Sequence, residues 1–179
     1  MTPGSVARRY AKALYELAAE EGSVEQIATA LAEIATAVAG IDANSLAPGV
    51  LDAASRRALG EALAGPVGPD STLGKFLRLI VERDRVTELP GVQFWFVKRL
   101  DEEAGRVRAT VTAANELTDS QTESIVAVFR PIAGRDVLPE VSSDPDLLGG
   151  AIVELEGRVY DGSVKTRLAR LAARMAGAG

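Results

Sequence analysis

The chain has 179 residues, of which 47% are hydrophobic and 25% charged, and it contains neither cysteine nor histidine. This composition is typical of a globular protein with a buried core, and the two missing residue types exclude disulfides, thiol nucleophiles and the usual zinc sites. The net charge of −5 argues against a nucleic-acid partner, and no apolar run approaches the roughly 18 residues of a membrane span. We therefore expect a soluble protein that binds other proteins, with no cofactor, no metal and no direct membrane insertion.

Helical spacing dominates the first 105 residues. A first helix is predicted between Ser5, its cap, and Gly22, and a second from a Ser23 cap to Gly40, because apolar residues recur every three or four positions. In the first helix these residues are Val6, Tyr10, Leu14 and Leu17. Between residues 41 and 70 the pattern defines boundaries only weakly: a short segment is expected to stop near Pro48-Gly49, residues 52–64 are expected to form a helix, and a loop rich in glycine and proline follows.

Two further helices follow that loop. Ser71 or Thr72 begins a strongly apolar helix that ends near Asp84, and such a helix needs neighbours on more than one side. Thr87 is placed to cap a longer helix that has a proline in its first turn and ends near Ala104. The aromatic side chains expected to anchor the bundle core are Phe94, Trp95 and Phe96.

The period changes from helical to two at Gly105, so residues 106–113 are predicted to form a half-buried strand. Thr118 and Gln121 have the spacing of a capping box, which predicts a helix that stops at residues 131–134. Its expected buried face consists of Ile125, Phe129 and Ile132.

Two more strands are predicted at residues 136–141 and 147–156. A two-residue type II′ loop at Gly157-Arg158 would then pair the second of them with Val159-Tyr160. Ser163 can cap a last amphipathic helix. Its predicted buried residues are Val164, Leu168, Leu171 and Met175. The chain is therefore expected to be α+β overall, with an all-α domain at residues 1–105 and a small α+β domain at residues 106–179.

Sites for catalysis or ligand chemistry are missing from the sequence. Gly74 and the lysine after it suggest a phosphate loop, but Pro69 replaces the first glycine and Phe76 stands where serine or threonine is required. The glycines at 149–150 precede a strand rather than a helix, so they form no dinucleotide fingerprint. The two aspartates that flank Pro145 favour a turn over a calcium site.

Four stretches of sequence resemble the delta subunits of F-type ATP synthases, whose mitochondrial relative confers oligomycin sensitivity. They are ARRYAKALY at 7–15, LIVERDRV at 79–86 with Leu89-Pro90, DPDLLGG at 144–150 and YDGSVK at 160–165. They occur in the family's order along nearly the whole chain, and residues 40–70 carry little of the likeness.

The resemblance implies a six-helix N-terminal domain that binds the N-terminal helix of an alpha subunit in a groove between its first and fifth helices. Small Ala13 would let a partner helix approach closely, and Leu79 is the strongest candidate because its neighbours can supply the inward face without it. The alternative is that all the candidate residues of this site only pack the core of the bundle. The matching residues are Tyr10, Ala13, Leu14, Leu17, Phe76, Leu79 and Ile80.

The resemblance further implies that the C-terminal domain binds the peripheral-stalk b subunits. Five basic residues against one acid follow position 157, which favours an acidic partner surface, and simple solvation of a helix face is the alternative. The basic residues are Arg158, Lys165, Arg167, Arg170 and Arg174.

The function that the resemblance implies is mechanical rather than catalytic. A single copy would sit in a hetero-oligomer at the cytoplasmic face of a bacterial plasma membrane, linking the catalytic head to the peripheral stalk during proton-driven ATP synthesis. It would resist the torque of the rotor, with some flexibility expected at Ala104-Gly105. A helical adaptor of an unrelated complex and a small α+β enzyme are the alternatives.

Overall fold

The computed structural model describes residues 4–42, 44–47 and 49–176, and it divides into two compact units, Met1–Leu100 and Asp101–Gly179. The described part of the first unit is helical, and the second unit combines helices with a four-stranded sheet. The division falls inside a helix, upstream of the boundary predicted at Gly105. That glycine instead follows the end of the helix, in the left-handed conformation (φ +66°) that often terminates helices.

Five α-helices precede the first strand in the described residues, with a one-turn 3-10 helix at Val86–Glu88 between the last two. They are α1 (Ser5–Glu21), α2 (Val24–Ala39), α3 (Ala53–Ala64), α4 (Thr72–Glu82) and α5 (Leu89–Glu103). A six-helix count is not confirmed. The helix that contains Leu79, which the resemblance places fifth, is therefore α4 here.

Some of the predicted helix starts are confirmed and others are wrong. The Ser71 hydroxyl accepts the Gly74 amide at 3.0 Å and caps α4, but α1 begins with Gly4 as its cap instead of Ser5, and Ser23 makes no capping hydrogen bond. Thr87 does not cap α5 because it lies within the 3-10 helix. Both Val86 and Leu89 are buried, and the three-residue period of that turn points them the same way.

The core of the first unit uses alanine where the sequence pattern suggested larger residues. The buried stripe of α1 is Ala7, Ala11, Leu14 and Ala18, whereas Val6 and Tyr10 are half-buried and Leu17 is 50% exposed. Of the three predicted aromatic anchors, Phe96 is fully buried, Trp95 is half-buried and Phe94 is exposed. The small alanine side chains allow neighbouring helices to pack closely against that side of α1. The larger apolar residues therefore lie at the edge of the core instead of at its centre.

The sheet of the second unit has the order β2-β1-β3-β4. Its strands are β1 (Arg106–Ala113), β2 (Asp136–Ser143), β3 (Ala151–Leu155) and β4 (Arg158–Asp161), with α6 (Asp119–Ala133) between β1 and β2 and α7 (Val164–Ala176) at the end. Strands β1 and β2 are parallel because α6 crosses between them, and the other pairs are antiparallel. The predicted β1 strand and the Thr118–Gln121 capping box are confirmed.

Three predictions for this unit are wrong in detail. The hairpin loop is Glu156-Gly157 rather than Gly157-Arg158, and its φ angles of +51° and +78° make it type I′ rather than II′. Strand β3 begins only at Ala151, because a 3-10 turn and the left-handed Leu148 precede it. On α6, Phe129 is buried but Ile132 is exposed. A turn was predicted at residues 142–146. Its second half is confirmed, since the Asp144 carboxylate accepts the Asp146 amide at 3.0 Å, but β2 continues through Ser143.

Candidate protein-binding surfaces

Helices α1 and α4 lie side by side in the first unit. The Tyr10 and Phe76 rings meet edge to face with centroids 6.2 Å apart, and the Thr72 hydroxyl donates to the Glu21 carboxylate at 2.5 Å. The two contacts are widely spaced along α1 but only one turn apart on α4, so the helices cross rather than run in register. Their facing flanks define the candidate groove.

The exposed apolar residues of this pair lie on those flanks. On α4, Leu79 continues the line of Thr72 and Phe76 at helical spacing, and it is 41% exposed. On α1, Leu17 lies between Tyr10 and Glu21 on the same helical stripe and is half exposed. Each helix therefore presents one exposed leucine on the side that faces the other helix. We name the surface formed by Tyr10, Ala13, Leu17 and Leu79 the α1–α4 groove.

The remaining candidate residues of this site lie beneath the surface. Leu14 and Ile80 are fully buried and Phe76 is nearly so, whereas Ala13 is exposed and Tyr10 is half-buried. The structure thus brings the seven residues to two adjacent helices but divides them by depth. The three buried residues support the floor of the groove from within the core, a difference in depth that the sequence pattern indicated only for Leu79.

Helix α7 exposes the side that was predicted to be buried. Val164, Leu168, Leu171 and Met175 are 37–74% exposed, so the prediction that they pack on their own domain is wrong. Among its described residues only Thr166 is half-buried, and that residue faces Asp161 instead. An amphipathic pattern is identical for a helix that packs on its own domain and for one that packs on a partner, which is why sequence reasoning missed this surface.

The start of α7 is nevertheless held firmly. The Val164 amide donates to the Gly149 carbonyl at 2.9 Å, and the Gly162 amide donates to the Ala151 carbonyl at 3.0 Å. A Cβ atom at Gly150 would lie 2.5 Å from the Gly162 carbonyl oxygen, so glycine is required for this approach. The DPDLLGG and YDGSVK stretches therefore meet at one place, where they fix the direction in which α7 leaves the sheet.

Side chains complete the anchor at the start of α7. The Ser163 hydroxyl accepts the Thr166 amide at 3.2 Å, which confirms the predicted cap. The Asp161 carboxylate accepts the Thr166 hydroxyl and the Ser163 amide at 2.7 and 2.9 Å. These hydrogen bonds, with a smaller attraction to Arg170, lower the pKa of Asp161 below its ordinary value.

The five basic candidate residues are all exposed, and four of them lie on α7, which contains no acidic residue. Arg167, Arg170 and Arg174 follow one another along one flank of the apolar stripe, at intervals of three and four residues. The helix thus combines an uncovered apolar face with an uncovered positive edge. This arrangement matches an amphipathic partner that carries negative charge.

The described part of the chain forms no metal-binding cluster. No group of three or more acidic side chains there could hold a metal ion, and none of the described helices is long and apolar enough to cross a membrane. A cleft of about 440 Å³ lies in the second unit, where the start of α6 meets the loop after β1 and Gly150. The fold and its surfaces define a protein-binding connector in which both units carry exposed apolar helical side chains.

The comparisons with known proteins identify the connector's family. The model of the ATP synthase delta (OSCP) subunit family matches residues 6–175. The chain is 37% identical to ATP synthase subunit delta of Desulforamulus reducens, covering 98% of this chain and 97% of that one. It is 38% identical to ATP synthase subunit delta of Anaeromyxobacter dehalogenans, covering 94% and 95%. The chain therefore belongs to the ATP synthase delta (OSCP) subunit family.

A solved structure shares the fold. A chain of the Toxoplasma gondii mitochondrial ATP synthase hexamer matches with a TM-score of 0.60 at 20% identity, over 96% of this chain and 98% of that one. Family membership makes the protein a non-catalytic stator component of ATP synthase and a member of a hetero-oligomer. The recognition from sequence is confirmed, and an adaptor of an unrelated complex is not supported.

Proposed function

We propose that this protein joins the catalytic head of ATP synthase to its peripheral stalk through two separate helical surfaces. The α1–α4 groove binds the N-terminal helix of an alpha subunit, and α7 with the basic residues around it binds the b subunits. One copy acts in each complex, at the cytoplasmic face of the bacterial plasma membrane. The observation that supports the proposal is that each unit leaves apolar helical side chains uncovered on an otherwise well-packed fold.

The shape and chemistry of the α1–α4 groove suit an amphipathic helix. Leu17 and Leu79 supply exposed apolar contacts from opposite flanks, and Ala13 leaves room for a close approach. Leu14 and Ile80 fill the space below, so the groove is formed before a partner arrives and little ordering cost is added on binding. For the domain that carries the groove, we propose that the 3-10 helix Val86–Glu88 is the sixth helical element beside α1–α5.

The same reasoning assigns α7 to the stalk. Its apolar stripe supplies the buried contact area, and Arg167, Arg170 and Arg174 would steer a negatively charged helix towards it. In this proposal the apolar residues hold the complex together and the basic residues accelerate its formation. The basic residues alone, which were the stalk contact expected from the sequence, are insufficient for a contact that must bear load.

The first experiment tests the α1–α4 groove. Fluorescence anisotropy measures the binding of a labelled peptide from the N-terminus of the cognate alpha subunit to the parent protein and to Leu79→Asp. A charge placed among apolar contacts must be desolvated, so we expect binding to weaken by roughly 2 kcal/mol or more, which is about 30-fold. Val50→Asp is the matched control, because Val50 is also an exposed apolar residue of the first unit but lies outside the groove.

The outcomes are distinct once circular dichroism shows that both variants are folded. Loss of binding in Leu79→Asp with normal binding in Val50→Asp supports the groove. Equal binding by all three proteins would place the alpha-subunit site elsewhere. No binding by the folded parent would remove this partner from the proposal.

The second experiment tests α7 against the b subunits. Leu171→Asp changes the centre of the exposed apolar stripe, and Val128→Asp changes a similarly exposed residue on α6 of the same unit. We expect only the first variant to lose binding to the soluble part of the b subunits. Arg167→Gln should mainly slow association and reduce its dependence on salt. Normal binding by Leu171→Asp would exclude the apolar stripe as the stalk contact.

A further inference from the structure

Three non-glycine residues in the described part of the chain have a left-handed backbone. They are Asp84, Leu148 and Glu156, with φ angles of +57°, +60° and +51°. A residue with a side chain adopts this conformation at a cost in free energy, so each of the three requires a reason. Leucine is the least expected of them, because its side chain has no polar group that could hydrogen-bond to the nearby backbone.

The side chains of the other two residues are used within the chain. The Asp84 carboxylate accepts the Gly49 amide. Glu156 lies in the type I′ hairpin loop, which requires positive φ angles, and its carboxylate accepts a hydrogen bond from Arg135 at 2.6 Å. Leu148 differs, because 72% of its surface is exposed to solvent. Its side chain therefore adds little to the stability of its own domain, whereas its backbone conformation lowers that stability.

The loop that carries Leu148 is held at both ends by the end of β1. The Asp144 amide donates to the Ala113 carbonyl at 2.7 Å, and the Ala114 amide donates to the Gly150 carbonyl at 3.2 Å. The amide of Leu148 itself donates at 3.2 Å to the first carbonyl of the 3-10 turn before it. The exposed leucine is thus presented in a fixed position, and little ordering is required when a partner covers it.

Leu148 lies at the N-terminal end of the apolar stripe of α7. The Val164 amide donates to the Gly149 carbonyl at 2.9 Å, and a Cβ atom at Gly149 would lie 2.9 Å from Val164 Cγ2. The first residue of the stripe therefore rests against the immediate neighbour of Leu148. An exposed leucine at this point continues the uncovered apolar surface beyond the beginning of the helix.

We propose that Leu148 is a contact residue for the b subunits, and that its left-handed conformation is kept for binding at the expense of stability. Continuity with the stripe assigns it to this partner, since a helix that covers Leu168 and Leu171 along α7 meets Leu148 at the end of its path. Residues that break a local rule without an internal gain are expected at functional sites. The inference rests on the proposed stalk contact of α7 and adds to it a residue outside that helix.

The test places glycine at two left-handed positions of the full-length protein. Leu148→Gly removes the exposed side chain and the backbone strain together. Glu156→Gly is the matched control, because it relieves similar strain in the hairpin loop between β3 and β4 of the same unit. Calorimetry measures the binding of the soluble part of the b subunits, and thermal unfolding measures the stability of each free protein.

We expect the two readouts to move separately in Leu148→Gly. Loss of a buried leucine contact should weaken its binding about tenfold. Its melting temperature should equal that of the parent or exceed it by up to about 4 °C, because relief of strain offsets the freedom that glycine adds to the unfolded chain. Glu156→Gly should bind as the parent does.

Weaker binding by Leu148→Gly at an undiminished melting temperature supports the proposal. A lower melting temperature overturns it, since the leucine would then stabilise its own domain. Normal binding by Leu148→Gly together with lost binding in Leu171→Asp overturns this inference alone. Normal binding by both variants excludes the α7 surface and with it the proposed stalk contact.

Two further variants separate the leucine side chain from the shape of the loop. Asparagine tolerates the left-handed conformation, so Leu148→Asn keeps the backbone but should bind as weakly as Leu148→Gly. Methionine conserves the apolar volume, so Leu148→Met should bind almost as tightly as the parent. Equal binding by Leu148→Asn and Leu148→Met would show that the partner does not contact the apolar side chain, and it would overturn the proposal.

Discussion

Helices α4 and α7 have similar sequence patterns and opposite surroundings. Both place apolar residues at helical spacing beside basic ones, and both begin with a serine cap. Six residues of α4 are buried, and it packs on α1 and α3, whereas the four large apolar residues of α7 are all exposed. A hydrophobic stripe therefore shows that a helix has a contact face, and the surrounding fold decides whether that contact lies within the chain or with another protein.

The largest expected effect on the free energy of unfolding comes from truncating one leucine in each of these two helices. Leu77→Ala in α4 removes a fully buried side chain and should cost roughly 2–5 kcal/mol of unfolding free energy. Leu171→Ala in α7 should cost less than about 0.5 kcal/mol, because its leucine is already exposed to water. Urea unfolding of the isolated protein measures both. A large loss in Leu171→Ala would mean that α7 packs on its own domain in solution.

Glycines in the first unit offer the next contrast. A Cβ at Gly74, in the first turn of α4, would lie 2.2 Å from the Gly68 carbonyl oxygen, so Gly74→Ala should destabilise the first unit by about 1–3 kcal/mol. Gly60 of α3 has no such neighbour, since its nearest atoms would be 3.7 Å away. Gly60→Ala should be neutral or stabilise the helix by up to about 1 kcal/mol. Thermal unfolding measures both variants. A shift of their two melting temperatures in the same direction would contradict the argument.

The anchor of α7 can be broken at Gly150. Gly150→Ala combines a left-handed backbone (φ +79°) with a Cβ placed too close to Gly162, and we expect a loss of about 1–3 kcal/mol confined to the second unit. Gly157→Ala has the same backbone strain (φ +78°) but open space around the new methyl group, so it should cost less. Hydrogen exchange of the β3 and β4 amides measures both changes. Equal effects would show that backbone strain alone explains the requirement for glycine.

The smallest expected effect is a loss of stability at the start of α7 in acid. Because folding lowers the pKa of Asp161, its contribution to stability is present above the unfolded pKa and is lost as the pH falls through the folded pKa. Asp52, the cap of α3, behaves in the same direction because the Ser55 amide and hydroxyl stabilise its charged form. NMR titration of the Ser163 and Ser55 amides follows the two sites separately. In Asp161→Asn, only the Ser163 transition should disappear.

Most of the fold followed from local patterns. The alternating residues of β1, the Thr118–Gln121 capping box and the Ser71 cap were predictable because their contacts lie within a few residues of one another. The thirteen-residue α7 was predictable for the same reason, but the prediction that its apolar side is buried was wrong. The hairpin loop was misplaced by one residue because a non-glycine residue, Glu156, adopts a positive φ that its sequence does not announce.

The sequence predicted which helices carry the candidate surfaces, but it did not predict how deeply most of their residues are buried. Leu14 and Leu17 are three residues apart in the same helix and look equivalent in the pattern, yet one is fully buried and the other is half exposed. The choice depends on how closely α1 approaches its neighbours, which the small side chains of Ala7, Ala11 and Ala18 determine. Such packing is a property of several helices together, and no single helix contains it.

The sequence by itself determined the class of the protein, the absence of cysteine and histidine chemistry, and the order of helices and strands, because composition and short-range periodicity are local properties. Tertiary structure alone decided that α7 exposes its apolar stripe, that Leu17 remains uncovered, and that three acids can end α5 beside two arginines. These features depend on groups brought together from distant or differently oriented elements. Their free energies come from burial and charge pairing in three dimensions, which a one-dimensional pattern does not specify.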